Sequence, residues 1–240
     1  MISKYRYKNG EMTQEPRKRV DRFPTGGCQM EKMMTGKAEQ AYLYIREKII
    51  RGNIEPMTDI SEELFMEELS MSRTPVREAM LRLADDGFIM IFPRKGTFVS
   101  AITMDTYRWV NDVRLLCEPW MCANACGRIP RETLLGFRDV FSALLEKPDK
   151  TKSLETDDRF HELIMEHSDN PFIRNMMSNV QAHSRRIRFT TGLVRMEYEG
   201  PNIQHLKIVD ALLSGDPSKC REAMEEHIRL ARVENDVYFA

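Results

Sequence analysis

The sequence predicts a mostly α-helical protein with two parts, an N-terminal winged helix-turn-helix and a C-terminal all-helical bundle of about six helices. Short helical patterns followed by a hairpin pattern occupy residues 37–100. From residue 105 onward, apolar residues recur at helical spacing without strand-like alternation. A chain of 240 residues with 42% hydrophobic and 30% charged residues is typical of folded globular proteins.

Charge and cysteine content narrow the class of protein. The net charge of −1 excludes a general polycation, so binding to nucleic acid requires a local basic surface. The five cysteines lack the spacing of a disulfide framework and indicate reduced thiols of a cytoplasmic protein. Cys122 and Cys126 lie one helical turn apart and are interpreted as buried small hydrophobes. No apolar run approaches the roughly 20 residues of a membrane span, so no membrane partner is expected.

Composition and periodicity divide the chain into four segments. Residues 1–36 carry scattered charge and little periodicity, which predicts a mostly disordered arm. Residues 37–100 are predicted as the winged helix-turn-helix and residues 101–104 as a linker. Residues 105–238 are predicted as the bundle, with helices at 105–126, 130–145, 153–166, 171–190, 202–213 and 217–237.

Residues 72–88, SRTPVREAMLRLADDGF, predict a helix that reads DNA. Ser72 suits the N-cap, because its hydroxyl can accept a bond from a free N–H of the first turn. One face is apolar and carries Val76, Met80 and Leu83. The opposite face is cationic and carries Arg73, Thr74, Arg77 and Arg82. This arrangement suits entry into a major groove, whereas the alternative is an ordinary surface helix with solvated charges.

The flanking segments complete the predicted winged domain. Residues 37–51 predict a first helix, and Asp59 with Glu62 fits a capping box for a second helix that buries Leu64 together with Ile60 or Phe65. Asp85-Asp86-Gly87 is expected to end the reading helix. Strands are predicted at 88–92 and 97–99, joined by a turn that contains two cations. A hairpin with a cationic tip can lie against the DNA backbone or in the minor groove.

Residues 42–100 resemble the GntR family of bacterial transcription regulators. The strings SRTPVREAMLRL, DDGFI and PRKGTFV occur in the order and spacing of that family. The resemblance implies contacts to operator DNA from three residues of the reading helix and two of the wing, which are Arg73, Thr74, Arg77, Lys95 and Gly96. Three positions depart from the family pattern. Ser70 stands where glycine is usual, Met66 stands where alanine is usual, and Glu63 stands where some relatives carry a DNA-contacting arginine.

An aspartate and three histidines in the bundle are candidate metal ligands. Asp157 and His161 lie four residues apart and share one helix face, while His205 and His227 belong to two later helices. Imidazole suits Zn or Ni, and the carboxylate keeps Mn possible. The spacing alone leaves two interpretations open, because isolated histidines on amphipathic helices are usually solvated or hydrogen-bonded.

A second resemblance bears on these residues. The strings DDRFHELI, DNPF, QHLKIVDALLSGD and AMEEHIRLA resemble the FCD ligand-binding domain of the FadR subgroup. The resemblance implies that Asp157, His161, His205 and His227 bind a divalent metal ion, with zinc expected first. It also implies a homodimer, a pseudo-palindromic operator, repression, and a small organic acid or sugar acid as effector. Three arginines are candidate effector partners, namely Arg114, Arg185 and Arg188.

Two other functions are compatible with parts of the sequence. A helical metal-dependent hydrolase could use the same aspartate and histidines, but the HExxH pattern that begins at His161 fails because Met165 replaces the second histidine. A bundle that only dimerises and binds no ligand would place the four residues in empty or apolar surroundings. The sequence therefore predicts a DNA-binding regulator and not an enzyme.

Overall fold

The computed structural model describes residues 6–8, 11–13, 36–190 and 199–239, with side chains at 36–189 and 200–232. Within the N-terminal arm, strands β1 (Arg6–Lys8) and β2 (Glu11–Thr13) pair in an antiparallel hairpin. The rest of the segment predicted to be disordered lies outside the described residues, apart from Gly36, which precedes the first helix.

The winged helix-turn-helix is confirmed. Its elements, in order, are α1 (Lys37–Ile50), β3 (Asp59–Ile60), α2 (Glu62–Leu69), α3 (Arg73–Asp85), β4 (Ile89–Phe92) and β5 (Gly96–Val99). The three strands form an antiparallel sheet in the order β3-β5-β4. The core between helices and sheet is apolar and includes Ile45, Phe65, Val76, Leu83 and Val99.

The predicted capping box before α2 is wrong. Asp59 lies in strand β3 opposite Phe98 of β5. Ser61 is the N-cap instead, and its hydroxyl accepts a hydrogen bond from the Leu64 backbone N–H at 3.2 Å. Leu64 itself is 42% exposed, and Phe65 is the residue of α2 that is buried. The N-cap of α2 therefore lies two residues later in the chain than the sequence predicted.

Left-handed residues end both helices of the helix-turn-helix. Ser70 follows α2 with φ +51°, and the N–H groups of Ser70 and Met71 donate to the carbonyls of Glu67 and Met66. After α3, Gly87 has φ +82°, and Gly87 and Phe88 close the helix in the same way. Glycine adopts this conformation without strain, whereas the Cβ of Ser70 meets its own carbonyl oxygen.

The C-terminal part forms six helices in its described residues, which confirms the predicted bundle. They are α4 (Met104–Ala125), α5 (Arg131–Glu146), α6 (Lys150–Glu166), α7 (Pro171–Thr190), α8 (Glu199–Ser214) and α9 (Pro217–Phe239). Helix α4 continues through Pro119. The apolar core includes Phe141, Phe160, Ile208 and Met224. None of the described helices is long and apolar enough to cross a membrane.

Helix α7 packs against both parts of the protein. Its Met177 lies in the core of the bundle, and its Ala182 lies in the core of the winged domain. The His183 ring stacks on Phe88 with 4.3 Å between centroids. The guanidinium of the buried Arg186 donates to the carbonyl of Ser100, where the chain leaves the winged domain. One helix therefore joins the two cores.

Candidate metal centre and nucleic-acid interface

The four candidate ligands converge inside the bundle. Helix α6 supplies Asp157 and His161, α8 supplies His205, and α9 supplies His227. One nitrogen or oxygen atom from each residue lies within 4.8 Å of the others, and all four residues are buried. The helical spacing of Asp157 and His161 puts both on the inner face of α6, and the packing of α8 and α9 brings the remaining two imidazoles to them.

The donor atoms in this cluster are close together but poorly bonded to one another. Asp157 Oδ1 lies 2.9 Å from His205 Nε2 and 3.4 Å from His161 Nε2. Nevertheless, neither nitrogen has a hydrogen-bond partner of acceptable geometry among the described residues, although both are buried. Leaving such groups unsatisfied costs about 1–3 kcal/mol each, so native proteins normally satisfy them. A cation bound between these atoms would satisfy them together.

Two further residues fix the orientation of the imidazoles. Glu118 of α4 lies 3.0 Å from His161 Nδ1, and Gln204 lies 3.1 Å from His227 Nδ1. Both contacts occupy Nδ1, so Nε2 of each ring is left for a ligand, as is usual for histidines that bind metals. Neither Glu118 nor Gln204 was predicted from the sequence. A signal was present for Glu118, which stands one helical turn after Arg114, and Gln204 directly precedes His205.

The electrostatics keep the carboxylates of the cluster ionised. Burial alone would raise the pKa of Asp157, but Arg188 and two histidines outweigh burial and hold this pKa well below its usual range. Burial likewise opposes ionisation of Glu118, yet Arg114 and His161 lower its pKa.

The three imidazoles differ from one another in their protonation. For His161, burial is outweighed by Glu118 and Asp157, and its pKa rises to about 9. Burial lowers the pKa of both His205 and His227, which favours the neutral form that binds metals. His161 would have to release its proton to bind a metal ion, and the three nitrogen donors with one ionised oxygen then fit a divalent transition-metal ion.

The candidate effector arginines differ in how they contact this cluster. Arg188 pairs with both Asp157 and its neighbour Asp158. Arg114 is buried and pairs with Glu118 at 2.7 Å, so it reaches the cluster only through that carboxylate. Arg185 pairs with Asp158 at 2.8 Å and lines a cavity of about 430 Å³ between α1, α6 and α7. Their role in binding an effector stays a prediction.

The five residues predicted to contact DNA are all exposed. Arg73, Thr74 and Arg77 lie exposed on the first two turns of α3, and Lys95 and Gly96 lie exposed at the tip of the β4-β5 hairpin. Gly96 has φ +117°, and a Cβ atom there would lie 3.1 Å from Asp59 Oδ1. Only glycine fits this turn without strain, because of its positive φ and the nearby Asp59 carboxylate.

Two details of α3 differ from the prediction. Arg82 pairs with Glu39 of α1 and lies over the Tyr42 ring at 3.8 Å, so it holds α3 to α1 instead of facing DNA. Ser72 occupies the N-cap with extended backbone, but its hydroxyl makes no capping hydrogen bond. The predicted face is therefore reduced to its N-terminal residues, and among these Arg73 already pairs with Glu62 and Glu63.

Comparison with known families agrees with the division of the chain into a winged domain and a helical bundle. Residues 37–99 match the family described as bacterial regulatory proteins, gntR family, and residues 110–230 match the FCD domain. The chain belongs to the GntR family. GntR proteins with an FCD domain are DNA-binding transcriptional regulators, and this membership rules out the hydrolase alternative.

Curated relatives within the GntR family include repressors. The HTH-type transcriptional repressor RspR of Escherichia coli strain K12 is 28% identical over 212 residues, which cover 84% of this chain and 93% of that protein. The gluconate operon transcriptional repressor of Bacillus subtilis strain 168 is 30% identical over 141 residues, or 57% of each chain.

Solved structures share the fold. Escherichia coli McbR/YncC superposes with a TM-score of 0.74 at 18% identity and covers 86% of this chain and 100% of its own. A GntR transcriptional regulator from Rhodococcus sp. RHA1 superposes with a TM-score of 0.67 at 20% identity, over 82% and 96% of the two chains. At these identities the likeness concerns the arrangement of helices and strands.

Proposed function

We propose that this GntR regulator is a repressor whose affinity for its operator is set by a small carboxylate or sugar acid, bound beside a divalent metal ion in the bundle. The observation that carries the proposal is the convergence of Asp157, His161, His205 and His227 in a domain joined through α7 to the DNA-reading domain. Two relatives are repressors by name, and one of them regulates a gluconate operon.

Zinc suits the proposed site first, with nickel or manganese as the other candidates. Three imidazole nitrogens with one carboxylate oxygen are donors that Zn and Ni accept readily, and the oxygen keeps Mn in range. When bound, such an ion supplies a positively charged partner for a carboxylate. Glu118 and Gln204 would hold the rings of His161 and His227 in position for it.

Arg188 is the arginine best placed to respond to an organic acid. It already contacts the carboxylates of Asp157 and Asp158, so an incoming carboxylate would compete with them for the guanidinium. Arg114 would act from behind Glu118. Arg185 would act from the junction, because its guanidinium contacts Asp158 and also Glu47 of α1, at 3.3 Å.

Helix α7 offers a physical connection between the two sites. One of its faces contacts the acids beside the proposed metal through Arg185 and Arg188. Another face holds the winged domain through His183 and Arg186. A rearrangement of Arg188 on effector binding would therefore shift α7, and with it the winged domain. By linkage, operator DNA would alter effector affinity by the same factor.

The proposed regulator acts as a homodimer in the cytoplasm, where the operator lies. Residues 37–100 would read one half of a pseudo-palindrome, residues 101–104 would link the parts, and residues 105–238 would sense and pair. Two large apolar side chains on α4 support a pairing surface there. Trp109 is 66% exposed and Leu116 is 78% exposed, and their spacing of seven residues puts both on one face of the helix.

Metal binding is tested by elemental analysis of the purified protein. The wild type is expected to carry one divalent ion per chain after dialysis against zinc and removal of the excess. His205→Ala is expected to lose it, because a central donor is removed. His167→Ala is the matched control, since His167 lies on the same bundle but its Nδ1 contacts a backbone carbonyl. Equal metal content in the two variants would exclude this site.

Operator and effector are tested together. Selection from random duplexes is expected to return a pseudo-palindromic sequence, and organic acids are then screened for release of that duplex. The active acid should raise the melting temperature of the metal-loaded wild type and leave His205→Ala unchanged. An acid that releases DNA equally well from both proteins would remove the metal from the mechanism.

A further inference from the structure

A glutamine of α7 reaches the carboxylate that lies behind the candidate metal ligands. Gln181 Nε2 donates to Glu118 Oε1 of α4 over 2.7 Å. An ionised carboxylate can only accept hydrogen bonds, so the amide group must present its nitrogen and not its oxygen to Glu118. This contact is separate from the ion pairs that Arg185 and Arg188 of the same helix make with Asp158.

Glu118 is shared between this glutamine and a candidate metal ligand. Its Oε1 atom also accepts from Arg114 Nε at 2.7 Å, and its Oε2 atom lies 3.0 Å from His161 Nδ1. Glu118, Arg114 and His161 are all buried, so water cannot take the place of a lost hydrogen bond. The carboxylate therefore cannot turn toward one partner without changing its contact with another. Through its two oxygens, Glu118 connects the His161 ring to α7.

Gln181 lies where α7 passes from one core to the other. Val180 before it packs against the core of the bundle, and Ala182 after it is buried in the core of the winged domain. Two residues farther on, His183 Nε2 donates to the carbonyl of Asp86 at 2.8 Å, and Asp86 is the C-cap of α3. Because an α-helix holds consecutive residues in a fixed arrangement, a displacement of α7 at Gln181 also moves its contacts with the end of α3.

The opposite side of the His161 ring faces the other candidate ligands. Its Nε2 atom is buried, has no hydrogen-bond partner among the described residues, and lies 3.4 Å from Asp157 Oδ1. In histidine metal sites, the ion at one ring nitrogen and the partner of the other nitrogen orient the ring together. An ion at Nε2 would therefore hold the ring from both sides, and would hold Glu118 with it.

We propose that Gln181 is a positioning residue that transmits occupation of the metal site to the winged domain. Its role rests on the proposed metal site, and it makes the metal alone a regulator of operator binding before any acid is present. With the site occupied, His161 holds Glu118 in one position and Glu118 holds Gln181, so α7 is fixed where it crosses between the cores. With the site empty, the ring, the carboxylate and the amide can move together, and the end of α3 is held less firmly.

The coupling is measured on the full-length protein with zinc alone as the probe. Fluorescence anisotropy gives the affinity of the wild type for the selected duplex, once with a chelator and once with zinc. We expect zinc to tighten operator binding by about 5-fold or more, because a winged domain that is already held needs less ordering on DNA. By linkage the duplex should tighten zinc binding by the same factor, which competition with a zinc-binding dye measures.

Gln181→Met removes the hydrogen bond and preserves the length of the side chain. The variant should still bind one zinc ion per chain, because all four candidate ligands remain. Its operator affinities with and without zinc should differ by less than about 2-fold, and the duplex should leave its zinc affinity nearly unchanged. A merely structural role would weaken both operator affinities alike and leave their ratio as it is in the wild type.

Ser178→Ala is the matched control on α7. Ser178 lies one turn before Gln181 and lines the same cavity of about 430 Å³, but its hydroxyl donates to the Asn175 carbonyl of its own helix at 2.8 Å. This variant should couple zinc and operator as the wild type does.

Gln181→Asn is a second test, because its amide is one methylene too short to keep the bond to Glu118. It should lose the coupling as Gln181→Met does. Urea unfolding shows which variants are folded, and if the methionine variant is not, the asparagine variant decides.

The outcomes separate the role of Gln181 from the metal site itself. Zinc that binds every variant but affects operator binding only in the wild type and Ser178→Ala supports both proposals. Equal coupling in the wild type and a folded Gln181 variant, or bound zinc without effect on operator binding in the wild type, overturns the role of Gln181 and leaves the metal site standing. A wild type that binds no zinc by elemental analysis removes the metal site and the role of Gln181 with it.

Discussion

The exposed surface that is predicted to contact DNA, here called the reading surface, and the interior of the bundle both contain arginines. These arginines differ in their exposure to water. On the reading surface, Arg73 and Arg77 are exposed, and the carboxylates that contact Arg73 are partly solvated. In the bundle, Arg114 is buried against an equally buried Glu118. Water screens the exposed arginines of the reading surface, so their charges remain available to a partner. Water does not screen the buried ion pair of the bundle, so each of its charges must be matched within the protein.

This difference assigns the two regions different tasks. Exposed ion pairs contribute about 0–1 kcal/mol and can be exchanged for phosphate contacts without disturbing the fold. A buried charge that loses its partner destabilises the fold strongly, so a ligand that redistributes such charges can move helices. Substitutions at single residues test this contrast, beginning with the largest expected effect.

Glu118→Gln should have the largest effect on stability. The substitution preserves shape but leaves the buried Arg114 charge without its counter-ion, so we expect a loss of about 3–5 kcal/mol in the free energy of unfolding. Urea unfolding in the presence of a chelator measures it without a contribution from metal. The double variant Arg114→Met with Glu118→Leu should recover most of the loss. A single variant as stable as wild type would remove the distinction between the two regions.

Arg77→Ala should weaken operator binding and spare the fold. Removal of one base or phosphate contact from the reading helix costs about 1–3 kcal/mol, or roughly 10- to 100-fold in affinity. Arg77 is exposed on α3, so the free energy of unfolding should change little. Binding to the selected duplex is measured by fluorescence anisotropy. The control is Arg131→Ala at the start of α5, which should bind as wild type does.

Ser70→Gly should stabilise the winged domain. Ser70 has φ +51°, and relief of this left-handed conformation is expected to contribute about 1 kcal/mol to the free energy of unfolding. Thermal melting with the matched variant Ser70→Ala gives the comparison. Alanine keeps the strained Cβ and should bring no gain. If glycine also brings none, the turn between α2 and α3 is not strained.

Glu63→Gln should have the smallest effect, and its sign is opposite to that of Arg77→Ala. Glu63 pairs with Arg73 on the surface where phosphates are expected to bind, so removal of the acid frees the guanidinium for DNA. We expect operator affinity to rise by a few-fold at low salt, with less difference at high salt because exposed charges are screened. Affinity that falls in this variant would mean that Glu63 positions Arg73 for DNA.

The reading surface was largely predictable because its determinants are local. The exposed positions of Arg73, Thr74 and Arg77 follow from the spacing of apolar residues in one short helix. The prediction failed where a second element decides. Arg82 turns away from the surface because Glu39 of α1 pairs with it, and strand β3 is too short to show any periodicity.

The metal cluster was predictable only in part for the same reason. Helical spacing places Asp157 and His161 on one face, but it cannot bring His205 and His227 to them from other helices. That assembly was inferred from family resemblance. Glu118 was missed because an acid one turn from an arginine is equally typical of a solvated surface pair.

The shared helix α7 has a consequence for how such regulators can be recombined. A fragment cut at residue 100 would lose Ala182 from its interior and the imidazole that covers Phe88, so the winged half alone would expose part of its apolar core. Grafting a foreign sensor onto this reading head would require the outer face of the donor's corresponding helix to be rebuilt. The structural boundary between the two modules therefore lies along α7 and not at the linker.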